Sequence, residues 1–341
     1  MGKKLVVRFR DLLKNNLALV GSIILYVFAA IFVRGFASGY NLRVLFASIS
    51  PLAVLACGVT LPVLNGGTDF SAPSMVTLGS VLSAYLVVMT PLGQTVAGTY
   101  LAILLMLLLG LILGMINGMA VITLKMPSFV ATMGTQMVAQ GIAVLFAAIY
   151  YEKTSLNGLS RSFLALGGGS EFSLFTPLII MGVIVGFTQW LLTCTVFGRR
   201  VYAVGTNQVA AFISGVKTKK IIFTLSTMSG LYAAVAAILY TAKNEAGVPT
   251  MGDRLFIDVI SSIIIGGTSV NGGKGGVIKT LYGVLFIVIM DNALVLMGIT
   301  WYVITFIKGL IVLVLIMSTS ATISLPKFLQ GRKTELGTIS E

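Results

Sequence analysis

Leu64-Asn65-Gly66-Gly67-Thr68-Asp69-Phe70-Ser71-Ala72-Pro73-Ser74 and Ile265-Gly266-Gly267-Thr268-Ser269-Val270-Asn271-Gly272-Gly273-Lys274-Gly275-Gly276 each end a long apolar run at the same tripeptide. Glycine-rich polar backbone beside a hydrophobic segment is costly in lipid, where every peptide group needs a partner. It persists only where protein buries it or where it lines a water-filled cavity. Interrupted apolar segments in the two halves of a membrane protein point to a transport pathway. The structural breaks Gly66-Gly67 and Gly266-Gly267 are therefore read as places where membrane helices stop early, with Thr68 and Thr268 beside the path.

Composition supports a bilayer setting. The chain has 341 residues, 57% hydrophobic and 10% charged, with mean hydropathy +1.02. A soluble protein carries about 25% charged residues. Histidine is absent, and Cys57 and Cys194 both lie inside apolar runs, where they act as small hydrophobes. A zinc site and a Ser-His-Asp triad are excluded by this inventory, and the absence of clustered carboxylates as well weakens the reading of a membrane-embedded enzyme.

Apolar runs fall at 17–33, 44–65, 74–91, 98–124, 128–150, 176–197, 221–242, 255–270, 277–297 and 301–320. The spacing predicts an all-α integral membrane protein, a single transmembrane domain over 1–341, with about ten transmembrane helices of spanning length. The eighth run is short and reads as a half-helix. The breaks at corresponding places suggest an internal pseudo-two-fold repeat. Before the first run, Lys3, Lys4, Arg8, Arg10 and Lys14 mark 1–16 as a basic amphipathic segment lying on the membrane surface.

Basic residues fix the orientation. On alternate-side counting, one face carries that N-terminal cluster with Lys125, Arg199, Arg200, Lys217, Lys219, Lys220, Lys274, Lys279, Lys327, Arg332 and Lys333. The other carries only Arg34, Arg43, Lys153, Arg161, Lys243 and Arg254. The positive-inside rule puts the first face in the cytoplasm, together with both termini and the tail 321–341. It also accounts for the net charge of +13 without a basic stripe for nucleic acid.

The polar stretch 198–220 then lies in the cytoplasm. Asn207 is placed to cap a short helix through Ala210 and Ala211 that Gly215 ends. Such a helix can dock into a groove on another protein; an ordinary inter-helix loop is the alternative. Gly272-Gly273-Lys274-Gly275-Gly276 is no phosphate-binding loop, because Thr268 and Gly275 stand where that motif needs Gly and Ser or Thr. Gly110, Gly114 and Gly118 form a small-residue face for close helix packing. Asn117, an amide at membrane depth, needs a partner: a neighbouring backbone group or a solute hydroxyl. Phe129, after Pro127, is a candidate apolar gate by position. Asp69 is placed to accept backbone N–H groups at a helix start. Intramembrane charges are costly, so Asp291 and Lys308 are expected to pair, while Asp258 opens the short eighth run near the solvated interface.

These residues carry a resemblance. Gly66-Gly67-Thr68-Asp69-Phe70-Ser71 is similar to the GGIDLS element of the ribose-type permeases of bacterial ATP-binding-cassette sugar importers. Gly114-Met115-Ile116-Asn117-Gly118, with Met126-Pro127-Ser128-Phe129-Val130-Ala131-Thr132-Met133-Gly134-Thr135, resembles that family's G-x-x-N-G and P-x-F-I-x-T-L-G-T stretch. Ile265 to Gly275 resembles its IGGTSLAGGKG element. Ala210-Ala211 followed by Gly215 is similar to the importer coupling motif, with Val209 in place of its acidic residue. Ala72-Pro73-Ser74 departs from the usual V-G-S, and Asp291-Asn292 from Asn-Asn.

The resemblance implies a permease of the bacterial inner membrane that pairs with a second permease, identical or homologous. Two cytoplasmic ATPase domains, which would hold ATP and Mg, and an external sugar-binding protein complete the importer, and this chain would bind no cofactor itself. Arg199, Asn207, Ala210, Ala211, Ser214 and Gly215 would couple to the ATPase. Thr68, Asp69, Asn117, Phe129, Asp258, Thr268 and Asn292 would line the path of a pentose or hexose. Permeases for nucleosides, branched-chain amino acids or a furanosyl signalling molecule are the nearest alternatives. A secondary transporter driven by an ion gradient is the alternative of another class, with Asp258 or Asp291 as its titratable site.

Overall fold

The computed structural model describes residues 16–151, 154–168, 174–314 and 317. The basic segment read at 1–16 lies outside them apart from Asn16, as does the tail 321–341. The described chain is almost wholly helical. In order it forms α1 (Leu17–Phe32), α2 (Gly39–Leu64), α3 (Ser71–Val88), α4 (Val96–Thr123), α5 (Ser128–Tyr150) and α6 (Phe175–Cys194). There follow α7 (Val196–Thr206), α8 (Gln208–Ile213), α9 (Thr218–Asn244), α10 (Leu255–Ile265), α11 (Val277–Leu296) and α12 (Trp301–Val314). A two-residue antiparallel pair, Leu156 opposite Gly247 and Asn157 opposite Ala246, ties two connections at one end of the bundle.

Seven of these helices are long and apolar enough to cross a membrane, and α1, α10 and α12 are shorter apolar helices. Every expected apolar run contains one of them. The second helix starts earlier than hydropathy suggests, at Gly39, because Ser38 accepts the Asn41 N–H at 3.2 Å and caps it. The polar Asn41 can then sit inside the bundle, since it exchanges two side-chain hydrogen bonds with Asn292, at 2.7 and 2.9 Å. Helix α10, which occupies the eighth apolar run, stops at Ile265, five residues short of that run's end, because Gly267 adopts φ +84°.

Both breaks close in the same way, but one residue out of step. After α2, Gly66 takes φ +84°; its N–H donates to Val63 O at 3.0 Å and that of Gly67 to Pro62 O at 2.9 Å. After α10, Gly267 takes φ +84°; its N–H donates to Ile264 O at 2.9 Å and that of Thr268 to Ile263 O at 3.1 Å. This pair of bonds around a left-handed residue satisfies carbonyls that a helix end leaves open. Gly66 is thus the counterpart of Gly267, and Gly67 of Thr268. The shared tripeptide is not a residue-for-residue repeat; what recurs is the closure.

Small residues let α9 run through the centre. Gly110 and Gly114 of α4 cross Gly230 so closely that a Cβ on Gly114 would lie 2.6 Å from Ser226 O. On other faces, Gly58 of α2 meets Tyr232 and Gly79 of α3 meets Ala237. Much of α2, α3 and α9 is enclosed, whereas α4, α5 and α6 turn residues such as Leu104, Leu108, Ile142 and Val183 outward. Without a hydrophobic drive between helices in lipid, close approach of this kind supplies the packing energy. Gly114→Leu is expected to lower stability by about 3 kcal/mol or more, read as a fall in the thermal midpoint in detergent. Gly134→Leu, on α5 where nothing lies within 4 Å of a Cβ, should leave that midpoint in place.

Candidate functional site

One end of the bundle gathers both breaks, the α4–α5 turn and the α7–α8 segment; it carries Lys125, Arg199, Arg200 and Lys219 and is called the basic end here. A cavity of about 430 Å³ there is lined by Gly66, Lys125, Ser128, Gln208 and Lys219, among others. The short helix expected within 198–220 forms, with Asn207 and Gly215 at its ends. Asn207 Oδ1 accepts the Ala210 N–H at 2.9 Å and starts α8. Gly215, at φ +83°, ends it: its N–H donates to Phe212 O at 2.9 Å and that of Val216 to Ala211 O at 3.0 Å. Ala211 is buried, while Val209, Phe212 and Ile213 are 68%, 68% and 79% exposed. Ser214 Oγ turns back onto Ala210 O, and Arg199 stands exposed on α7. A short, doubly locked helix therefore presents an apolar tip outside the bundle.

That tip is joined to both breaks through α7. Tyr202 Oη donates to Gly275 O at 3.1 Å, and burial raises its phenol pKa, which keeps the donor protonated. Gly205 lies against the end of α2, where a Cβ would come within 2.0 Å of Leu64 O. The same Leu64 O accepts the Gly273 N–H at 2.9 Å. The end of α2, the end of α7 and the loop after α10 thus share one small contact region.

At the first break the peptide groups find protein partners. Ser128 Oγ accepts the Thr68 N–H at 3.0 Å, and Thr132 Oγ1 accepts the Phe70 N–H at 3.1 Å. Asp69 is buried two residues ahead of the start of α3. Its Oδ1 accepts the Ser71 N–H at 2.9 Å and the Ser71 hydroxyl at 2.6 Å, and its Oδ2 accepts Ser229 Oγ at 2.6 Å. Asn117 donates to Ser71 Oγ at 2.7 Å and accepts from Thr135 Oγ1 at 2.7 Å. Asp69 and Asn117, named separately from the sequence, belong to one hydrogen-bond chain that links α3, α4, α5 and α9.

At the second break, Thr268 Oγ1 accepts the Gly276 N–H at 3.2 Å and lies 3.4 Å from Thr280 Oγ1, which meets Thr60 Oγ1 of α2 at 2.9 Å. The Gly272 N–H donates to Ser269 O and the Gly273 N–H to Leu64 O. These N–H groups of the glycine loop are spent on its own fold and on α2, unlike those of a phosphate cradle. Lys274 O closes the loop by accepting the Ser269 N–H at 2.9 Å.

In the opposite half, Lys308 of α12 pairs with Asp291 of α11 at 2.7 Å, as expected, and also with Asp258 of α10. The sequence placed Asp258 near solvent; it is instead buried against Lys308, because α12 packs over the start of the short helix. A cavity of about 420 Å³ there is lined by Ser48, Tyr240, Lys243, Asp258, Asp291 and Asn292, with Lys243 Nζ donating to Ser48 Oγ at 2.8 Å.

The family model for the branched-chain amino acid transport system permease component matches residues 41–316, a range that holds both breaks, α8 and the buried ion cluster. The chain belongs to this permease family. It is 33% identical to a ribose import permease of Bacillus subtilis strain 168 over 302 residues, 87% of this chain and 90% of that protein. It is 33% identical to a probable ABC transporter permease of Escherichia coli K12 over 295 residues, 86% of each. It is also 31% identical to an L-arabinose transport system permease of the same strain over 293 residues, 85% of each. No solved structure matches the chain.

Within the permease, the path residues named from the sequence do not meet at one point. Thr68, Asp69 and Asn117 sit by the first break, Thr268 by the second, and Asp258 and Asn292 in the opposite half. Phe129 stands outside the Asp69 network, half-exposed on α5. Sequence reading gave no role to Ser71, Ser128, Thr132, Thr135, Ser229 or Tyr202. The spacing of Ser128, Thr132 and Thr135 along one face of an otherwise apolar helix was the available signal.

Removing one partner from a buried ion cluster leaves uncompensated charge, at a cost of about 3–5 kcal/mol. Lys308→Met is therefore expected to destabilise the permease by that order, measured as loss of monodisperse protein on heating in detergent. The triple variant Lys308→Met, Asp258→Asn, Asp291→Asn should recover most of the loss.

Proposed function

We propose that this permease is the membrane subunit of an ATP-binding-cassette importer for a small sugar, a pentose or hexose. It pairs with a second permease, and the basic end faces the cytoplasm and two ATPase domains. An external binding protein delivers the sugar to the opposite end. The single observation that carries this reading is α8. Its apolar tip of Val209, Phe212 and Ile213 is exposed among the described residues, and its two ends are locked as a rigid docking helix must be. Ribose and arabinose permeases among the relatives support the sugar.

In this mechanism the ATPase domains bind and hydrolyse ATP with Mg, and their closure displaces α8. The displacement passes through α7 into the ends of α2 and α10 by way of Leu64, Tyr202, Gly273 and Gly275. The breaks then act as the bistable element, since each helix end is closed by a local pair of hydrogen bonds and not by a continuous helix. Asp69 and Asn117 hold the first break to α4, α5 and α9 while it moves. Solute selection rests mainly with the external protein. Asp258 and Asp291, the carboxylates an ion-driven carrier would need, are both engaged by Lys308.

Phe212→Asp changes only an exposed side chain, so stability should stay within about 0.5 kcal/mol. In proteoliposomes carrying the co-purified ATPase and binding protein, sugar uptake should fall to background, with ATP hydrolysis no longer stimulated by loaded binding protein. Gly215→Val should act in the same direction, because φ +83° strains a β-branched residue by roughly 1–2 kcal/mol. Uptake that persists in vesicles without ATP and collapses with an ionophore would contradict the assignment.

A further inference from the structure

Arg200 of α7 and Lys217 and Lys220 at the start of α9 ring a cavity of about 530 Å³ at the basic end, completed by Phe197, Ile221, Thr224 and, on the side of α8, Gly215. All three cations are exposed, and the ion pairs among the described residues belong to Lys308 alone. The chain carries no Asp or Glu anywhere from 172 to 244, so nothing local in sequence neutralises them. Three like charges around one hollow repel each other unless an anion joins them.

The depth of the hollow identifies the kind of anion. Ile221 and Thr224 lie in the first two turns of the spanning helix α9, below the level of Lys217. Trp190, 55% exposed and one turn from the end of α6, marks the interfacial level where aromatic residues gather. The groove therefore has cations at headgroup height and an apolar wall of half-buried Phe197, backed by buried Ile221, that continues toward the acyl region. An acidic patch on a soluble protein would meet the cations but leave that wall unfilled. Basic pockets at helix ends on a membrane surface suit anionic lipid headgroups. The start of α9 adds to this, since Lys217 makes no side-chain cap and its first-turn N–H groups face the same end.

We propose that this groove binds an anionic phospholipid, its phosphate held by Arg200, Lys217 and Lys220 and one acyl chain laid along Phe197 and past Thr224. The proposal rests on the membrane-spanning fold alone, and not on the sugar or on the ATPase.

Native mass spectrometry of the full chain in mild detergent, titrated with phosphatidylglycerol, phosphatidylcholine or inorganic phosphate, tests it. Phosphatidylglycerol should bind, and the R200Q/K217Q/K220Q variant should bind it roughly 100-fold more weakly, at about tenfold or less per cation. A charge-matched control, K125Q/K219Q/K279Q, should stay within about threefold of wild type, because its charges lie outside the groove. Thr224→Phe, which fills the apolar end and leaves every charge in place, should also displace the lipid; it decides the matter if the triple variant does not fold. Equal binding of phosphatidylcholine overturns the proposal, as does an equal loss in the control. So does inorganic phosphate competing as well as the lipid. A groove variant that keeps its lipid but no longer retains the co-purifying ATPase would assign the groove to the protein partner and overturn it too.

Discussion

A helix interrupted inside a membrane leaves peptide groups without their helical partners, and the rest of this structure follows from how those groups are satisfied. Each break closes on a left-handed glycine, Gly66 or Gly267, and what remains open is met by side chains, from α5 at the first break and from the loop itself at the second. Ser128 and Thr132 serve the first break, Thr268 serves the second, and the Gly273 N–H reaches across to Leu64 O. Because that last bond joins one broken helix to the loop of the other, the breaks are not independent. Gly205 packs into the same junction, which brings the α7–α8 arm with it.

Close packing makes the junction possible. Side chains larger than glycine at 114, 205 or 230 would meet backbone within 3 Å, so α9 could not lie against α4, nor α7 against the end of α2. The same economy appears in the polar groups. Asp69, Ser71, Asn117, Thr135 and Ser229 satisfy one another without bulk. Lys308 draws α10, α11 and α12 together through charge, a strong constraint where the dielectric is low. The half of the bundle near the breaks is held by hydrogen bonds and small residues, and the opposite half by an ion cluster as well as the Asn41–Asn292 pair.

Much of this was legible in the sequence, for identifiable reasons. Apolar run length marks membrane helices with little ambiguity, and Asn207 and Gly215 are strong punctuation, so α8 was placed to the residue. Asp291 and Lys308 were paired because neither can stand alone in hydrocarbon. The third member, Asp258, was misplaced because hydropathy shows where a helix begins and not what packs over its end. The Asp69–Asn117 connection was hidden for a similar reason: Ser71 bridges them, and a serine in a helix carries no sequence mark of its partner. The repeated Gly-Gly-Thr pointed to real breaks but suggested the wrong alignment between them, since φ, and not the letter, decides which glycine turns the chain.

The central claim is that both breaks and α7 move as one body. Hydrogen–deuterium exchange of the full chain in nanodiscs, wild type against Gly273→Val, tests it directly. Residue 273 has φ +72°, and a Cβ there would lie 2.7 Å from Thr206 Oγ1, so the substitution opens the junction at its centre. Faster exchange should appear together at 64–68, 202–206 and 269–276, with the core of α11 unchanged. Faster exchange confined to 269–276 would contradict the claim.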